Sequence, residues 1–143
     1  MTIPFTGGCR CGALRYECSA EPVMTGNCHC RDCQKVSGSA FLANLAVPAD
    51  ALHIVGEVTY YEVTADSGNR VSHGFCATCG APVVATNSGM PTLMFLRAGN
   101  LDDPSWFRPA LDVYTASAQP WDHMNPELPK FLGYPPGVGS KRT

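Results

Sequence analysis

Eight cysteines dominate the chemistry open to this chain, and seven of them fall into three compact clusters. Cys9 and Cys11 form C-x-C, Cys28, Cys30 and Cys33 form C-x-C-x-x-C, and Cys76 and Cys79 form C-x-x-C. Thiolates are soft ligands, which favours zinc over magnesium or calcium. A C-x-x-C turn sends both sulfurs to one side, within reach of a single ion at a zinc–sulfur distance of ~2.3 Å. In an extended C-x-C the two side chains share a face, because residues i and i+2 do. Cys9, Cys11, Cys76 and Cys79 therefore add up to a tetrahedral four-cysteine site that ties the N-terminal segment to a knuckle 65 residues later. A shell closed by four sulfurs is structural. Cys28, Cys30 and Cys33 remain, and three protein ligands leave a coordination position open, the mark of a catalytic zinc. Three thiolates against a dication leave about one negative charge, which the neighbouring Arg31 and Lys35 can offset. Such a position favours an external thiol, which metal coordination deprotonates. A thiolate held beside a carbonyl carbon adds to it.

Other assignments compete with this one. His29 or His73 could complete the second site, making both zincs structural and the chain a binding module that engages a protein partner. His29 sits between two ligands, so its side chain is expected to point away from the metal and to hydrogen-bond elsewhere. His53 and His123 read as structural or surface histidines. Cys18, the eighth cysteine, has no partner in sequence and reads as a buried strand residue. The C-x-x-C-x-x-C run of bacterial ferredoxins is absent, which weakens an iron–sulfur reading. Arg31, Lys35 and Arg97 are candidates to bind substrate carboxylates.

The elements that must position these groups are short strands. Ala13–Cys18 alternates apolar and polar residues, Met24–Cys30 is a second extended piece, and Arg31–Val36 has room for one helical turn. Ala40–Val47 is an apolar run stopped by Pro48. Glu57–Val63 and Arg70–Phe75 form a β-hairpin around a five-residue loop, Ala65–Asn69. Gly80 follows Cys79 where a knuckle requires a left-handed backbone. Ala81–Thr86, Thr92–Ala98 and Ala110–Thr115 supply further strands. Gly7 to Gly12 reads as a glycine-flanked turn. Prolines recur from 120 to 136, so residues 122–143 are expected to be an irregular tail, mobile at its end, on a core of about 5–121.

The 143 residues predict one mainly β domain, a small sandwich of short antiparallel strands. Ten basic against twelve acidic side chains give a net charge of −2, so the basic footprint of a nucleic-acid or anionic-membrane binder is missing. No apolar run reaches the ~20 residues of a spanning helix. The first residues resemble no export signal, which makes a cytoplasmic location the expectation. An exposed strand edge would also allow a homodimer.

The segments Gly8-Cys9-Arg10-Cys11-Gly12, Cys28-His29-Cys30-Arg31-Asp32-Cys33-Gln34-Lys35 and Phe75-Cys76-Ala77-Thr78-Cys79-Gly80 resemble the glutathione-dependent formaldehyde-activating enzyme family, which includes centromere protein V. The resemblance runs from about Gly7 to about Trp121. It implies an Mss4-like β fold, a structural zinc on Cys9, Cys11, Cys76 and Cys79, and a second zinc on Cys28, Cys30 and Cys33. It also implies a carbon–sulfur lyase that condenses formaldehyde with glutathione, so that the partners are a small thiol and a small aldehyde.

Overall fold

The computed structural model of the protein describes residues 1–138. Residues 139–143, the end of the tail for which mobility is expected, lie outside the described residues. Among the described residues ten strands form two sheets. β1 (Phe5–Gly8), β2 (Arg15–Cys18) and β5 (Leu52–Val55) make a small antiparallel sheet with β2 in the middle. The larger sheet holds β3 (Met24–Cys28), β4 (Leu42–Pro48), β6 (Thr59–Thr64), β7 (Arg70–Phe75), β8 (Pro82–Asn87), β9 (Leu93–Arg97) and β10 (Asp112–Val113). Its order is β10-β3-β4-β9-β8-β7-β6, antiparallel except for the short parallel pair of β10 with β3. The helix α1 (Arg31–Ser37) follows β3.

Apolar side chains on one face of each sheet meet in a shared core. Leu14, Tyr16 and Cys18 of the small-sheet side pack with Leu45, Val47, Val84 and Leu96 of the large sheet. Cys18 is fully buried, and its thiol donates to the Ala20 carbonyl, as expected of a strand residue without a metal partner. The Ala65–Asn69 hairpin loop appears as read from the sequence, closed by Ala65 N–H to Asn69 O at 2.9 Å.

Two strands escape the sequence reading. β1 contains Gly7-Gly8, which reads as a turn, yet it pairs with β2 residue for residue. Its glycine serves close approach, since a Cβ on Gly7 would come within 2.3 Å of the Tyr16 hydroxyl. β5 is short and follows a single helical turn at Ala49–Ala51, so alternation has little length in which to show. Among the described residues the tail carries no strand or helix of its own, in keeping with its prolines, but it docks. Asp112 N–H donates to Pro129 O and accepts, through its carbonyl, from Phe131 N–H, and Tyr114 N–H donates to Gly133 O. Residues 129–134 thereby cover the β10 edge.

Candidate metal centres and the adjoining cleft

The sulfurs of Cys9, Cys11, Cys76 and Cys79 lie within 4.8 Å of one another. Cys9 and Cys11 Sγ are 3.6 Å apart, and Cys11 and Cys76 Sγ 3.8 Å. A tetrahedron with ~2.3 Å metal–sulfur bonds has edges of ~3.8 Å, so the spacing fits zinc. Local structure explains the fit. Cys9 leaves β1 in a turn where Leu14 N–H donates to its sulfur at 3.2 Å. The knuckle is closed by Gly80 N–H to Cys76 O at 2.7 Å, and Gly80 takes φ +79°, the left-handed conformation expected of it.

Cys28, Cys30 and Cys33 form the second set, again with sulfurs within 4.8 Å. Cys28 ends β3, Cys30 caps α1 by accepting from Cys33 N–H at 3.3 Å, and Cys33 lies in the first turn. A strand end running directly into a helix turns all three side chains toward one point. Without metal, the set concentrates its negative charge on one sulfur. Cys30 is pulled down to about 3 by hydrogen bonds from the Cys28 and Cys33 thiols, against desolvation, while Cys28 is pushed up to about 12. All eight cysteines are reduced. The donor sets therefore fit two zinc ions, one with four sulfurs and one with three.

Neither histidine near the second set is free to complete it. The His29 ring is 1% exposed and lies between two carboxylates, Nε2 at 2.9 Å from Asp112 and Nδ1 at 2.5 Å from Asp122. Burial opposes the charge of Asp112, but hydrogen bonds from His29, Lys130 and Asn27 hold its carboxyl below the ordinary range. His73 is equally occupied. Arg97 Nη2 donates to its Nδ1 at 2.9 Å, which leaves Nε2–H to donate to Asp32 at 2.7 Å. A fourth protein ligand from His29 or His73, an alternative the sequence left open, is thus used up by other partners. His53 and His123 are exposed.

The three-sulfur set opens onto a cleft of about 790 Å³, part of it solvent. Its floor is the face of the large sheet opposite the core. β4, β7 and β9 contribute alternate residues, Asn44 and Ala46, Val71 and His73, Phe95 and Arg97, whereas β3 lends Met24 and the run 26–28 and β8 the run 85–87. Register lines several of them up across strands, Met24 opposite Ala46, Ala46 opposite Phe95, Phe95 opposite Ala85, Ala85 opposite His73. Tyr114, beside β10, and Tyr134, from the docked tail, stand edge to face at 5.0 Å and close one side. Asp66 and Ser67 of the hairpin loop form part of the wall.

Of the residues singled out from sequence, the seven clustered cysteines assemble as two groups. Arg31 and Lys35 lie on the exposed side of α1 and do not line the cleft, and the Arg31 guanidinium is bonded to Gln34. Arg97 does line it, but is 5% exposed. Asp32, Phe95, Tyr114 and Tyr134 were missed. Alternation on β9, and an aspartate inside the cysteine cluster, were the available signals for the first two. Tyr134 reaches the cleft through tail docking and Tyr114 through the pairing of β10 with β3, and neither leaves a local trace.

Comparison with known proteins agrees with this geometry. A crystal structure of a Rhodobacter sphaeroides protein, a structural-genomics target, matches with a TM-score of 0.56 and 21% identity, over 73% of this chain and 91% of that one. At that identity the likeness speaks for the fold. The family model for the glutathione-dependent formaldehyde-activating enzyme matches residues 4–117, a span that takes in both cysteine sets and the floor of the cleft, and the chain belongs to that family.

Proposed function

We propose that this chain is a zinc-dependent carbon–sulfur lyase that joins a small thiol, glutathione in the family's name, to formaldehyde or a related small aldehyde beside Cys28, Cys30 and Cys33. The contrast between the two cysteine sets carries the reading. One has four sulfurs and sits at a knuckle, whereas the other has three and opens onto a cleft. Cys28, Cys30 and Cys33 would hold the zinc ion, which would supply Lewis-acid chemistry that favours the thiolate form of a thiol at neutral pH.

The chain's own residues serve that chemistry in three ways. The cleft floor lays the apolar side chains of Ala46, Phe95 and Ala85 in register beside the sulfur set. Arg97, buried beneath it, keeps a cation close to Cys33, Asp32 and Cys28, and so offsets the negative charge of the sulfur set. His73, fixed between Arg97 and Asp32, pins the start of α1 to β7 and β9, which holds Cys30 and Cys33 in place against Cys28.

Exchange spectroscopy with formaldehyde and glutathione tests the proposal. The interconversion rate should rise in proportion to protein concentration and fall to the uncatalysed rate in Cys30→Ala, with the fold of that variant retained. A rate indifferent to protein, together with two equally inert zincs, would instead identify a non-catalytic binding module.

A further inference from the structure

The docked tail places a phenol in the cleft onto which the three-sulfur set opens. Pro129 O accepts from Asp112 N–H at 2.9 Å, Phe131 N–H donates to Asp112 O at 3.0 Å, and Gly133 O accepts from Tyr114 N–H at 3.1 Å. These bonds hold the backbone against β10 and Tyr114 up to the residue before Tyr134. The Tyr134 ring then stands edge to face on Tyr114, at 84° and 5.0 Å. Tyr134 thus lines the cleft together with Cys28, Cys30 and Cys33. It lies beyond residues 4–117, the span of the family model, so the tail brings a group that the matched span does not contain.

Asn87, which is 6% exposed, settles the direction of hydrogen bonding at this phenol. Gly89 N–H donates to Asn87 Oδ1 at 2.8 Å, which identifies the oxygen of that amide. The amide nitrogen therefore faces Tyr134 and donates to its oxygen at 3.3 Å. The phenol accepts there and keeps its own proton to give. Among the described residues no acceptor takes that proton. Burial pushes the Tyr134 phenol above its ordinary range, so it remains a donor at neutral pH. Several other donors of the lining are already committed, Arg97 to Asn44 and His73, Asn27 to Asp112, and His73 to Asp32.

We infer that Tyr134 is a catalytic residue of the addition, its hydroxyl donating a hydrogen bond to the aldehyde oxygen as negative charge develops there. The inference rests on the lyase reading and adds the group that meets this charge. The thiolate sulfur forms a bond to the carbonyl carbon, and the carbonyl π pair moves onto oxygen. That oxygen ends as a hydroxyl, with the proton that the thiol released to water. The reverse reaction returns the same atoms. A donor fixed before the substrate arrives needs no reorganisation when the charge appears, which is why such groups contribute strongly to rate.

Tyr134→Phe removes the hydroxyl and keeps the ring with its contact to Tyr114. Zinc-loaded wild type, Tyr134→Phe and Tyr114→Phe are compared in glutathione–formaldehyde exchange. The same proteins are titrated, with amide chemical shifts followed, against S-hydroxymethylglutathione formed in excess formaldehyde and against S-ethylglutathione, which carries a methyl group in place of that hydroxyl. Tyr134→Phe should lose about 100-fold in kcat with KM held within about twofold. The several-fold preference of the wild type for the hydroxylated ligand should vanish with it. A merely structural role for the phenol would lower the melting temperature and leave that preference in place. The loss in Tyr114→Phe, whose hydroxyl lies beside Ser67, should be the smaller of the two. A Tyr134→Phe protein that keeps either the wild-type kcat or the wild-type preference overturns the inference, as does a larger loss in Tyr114→Phe, and the lyase reading stands as long as the wild type turns over. A wild type that accelerates no exchange overturns the lyase reading and the catalytic role together, while a preference lost in Tyr134→Phe still marks the oxygen contact.

Discussion

His29 shows how a residue inside a ligand motif can serve the fold instead of the metal. Its neighbours Cys28 and Cys30 face the sulfur cluster, so strand alternation turns its ring the other way, between Asp112 and Asp122. Those carboxylates come from β10 and the tail, and Asp112 also holds Lys130. His29→Ala leaves the Asp122 carboxylate buried and unpaired, and Asp122 Oδ1 already has no partner. The expected cost is about 3–5 kcal/mol. His53→Ala, on an exposed position of β5, should stay within about 0.5 kcal/mol. Urea denaturation of both variants checks the pair, and a His29→Ala protein as stable as His53→Ala would show that the network contributes nothing. The cysteine pattern was legible in sequence because metal ligation constrains local spacing. The second coordination environment was not, since Asp112 and Asp122 stand 83 and 93 residues away from His29.

At the scale of elements, the small sheet is fastened to the large one through the segment after β9. Leu101 forms a bridge with Gly7, and Asp102 N–H donates to Thr6 O at 3.0 Å. The Asp102 side chain accepts from Thr6 Oγ1 at 2.6 Å and from Arg15 Nη1 at 2.9 Å. Hydrogen bonds from Arg15 and then Thr6 lower the Asp102 carboxyl to about 2 from 3.8. A depressed carboxylate stabilises the fold fully above its unfolded value of 3.8, and that contribution fades as the pH falls toward 2. Both partners are more than 40% exposed, so solvent screening keeps the pair below about 1 kcal/mol. The gap in melting temperature between wild type and Asp102→Asn should therefore stay constant from pH 8 to pH 5, where the carboxyl remains ionised. A gap that widened or closed within that range would place the titrating partner elsewhere. The four-sulfur site is the other fastening, and it reaches further. Cys79→Ala opens a link between β1 and the knuckle after β7, and structural zinc contributes directly to folding free energy. Loss of folded, extractable protein is expected for Cys79→Ala but not for Cys30→Ala, and comparison of their yields and melting curves decides the matter.

On the scale of the whole molecule, the proposed lyase reading divides the two cysteine sets, with stability assigned to the four-sulfur set and chemistry to the three-sulfur set. Treatment with a mild chelator should remove one equivalent of zinc, abolish turnover and leave the circular dichroism spectrum unchanged, whereas removal of the second equivalent should unfold the chain. Simultaneous loss of both equivalents would refute the division. No described helix is long and apolar enough to cross a membrane. Seven clustered cysteines, the Ala65–Asn69 hairpin and the mainly β character followed from sequence alone, because ligand spacing, turn chemistry and alternation each act over a few residues. Tertiary structure decided the rest. It made Gly7-Gly8 a strand because Tyr16 fills the space above it, and it spent both candidate histidines on distant aspartates. Above all it built the cleft, whose floor exists only when Ala46, Phe95 and Ala85 fall into register across three strands, and register is a long-range property that no single segment encodes.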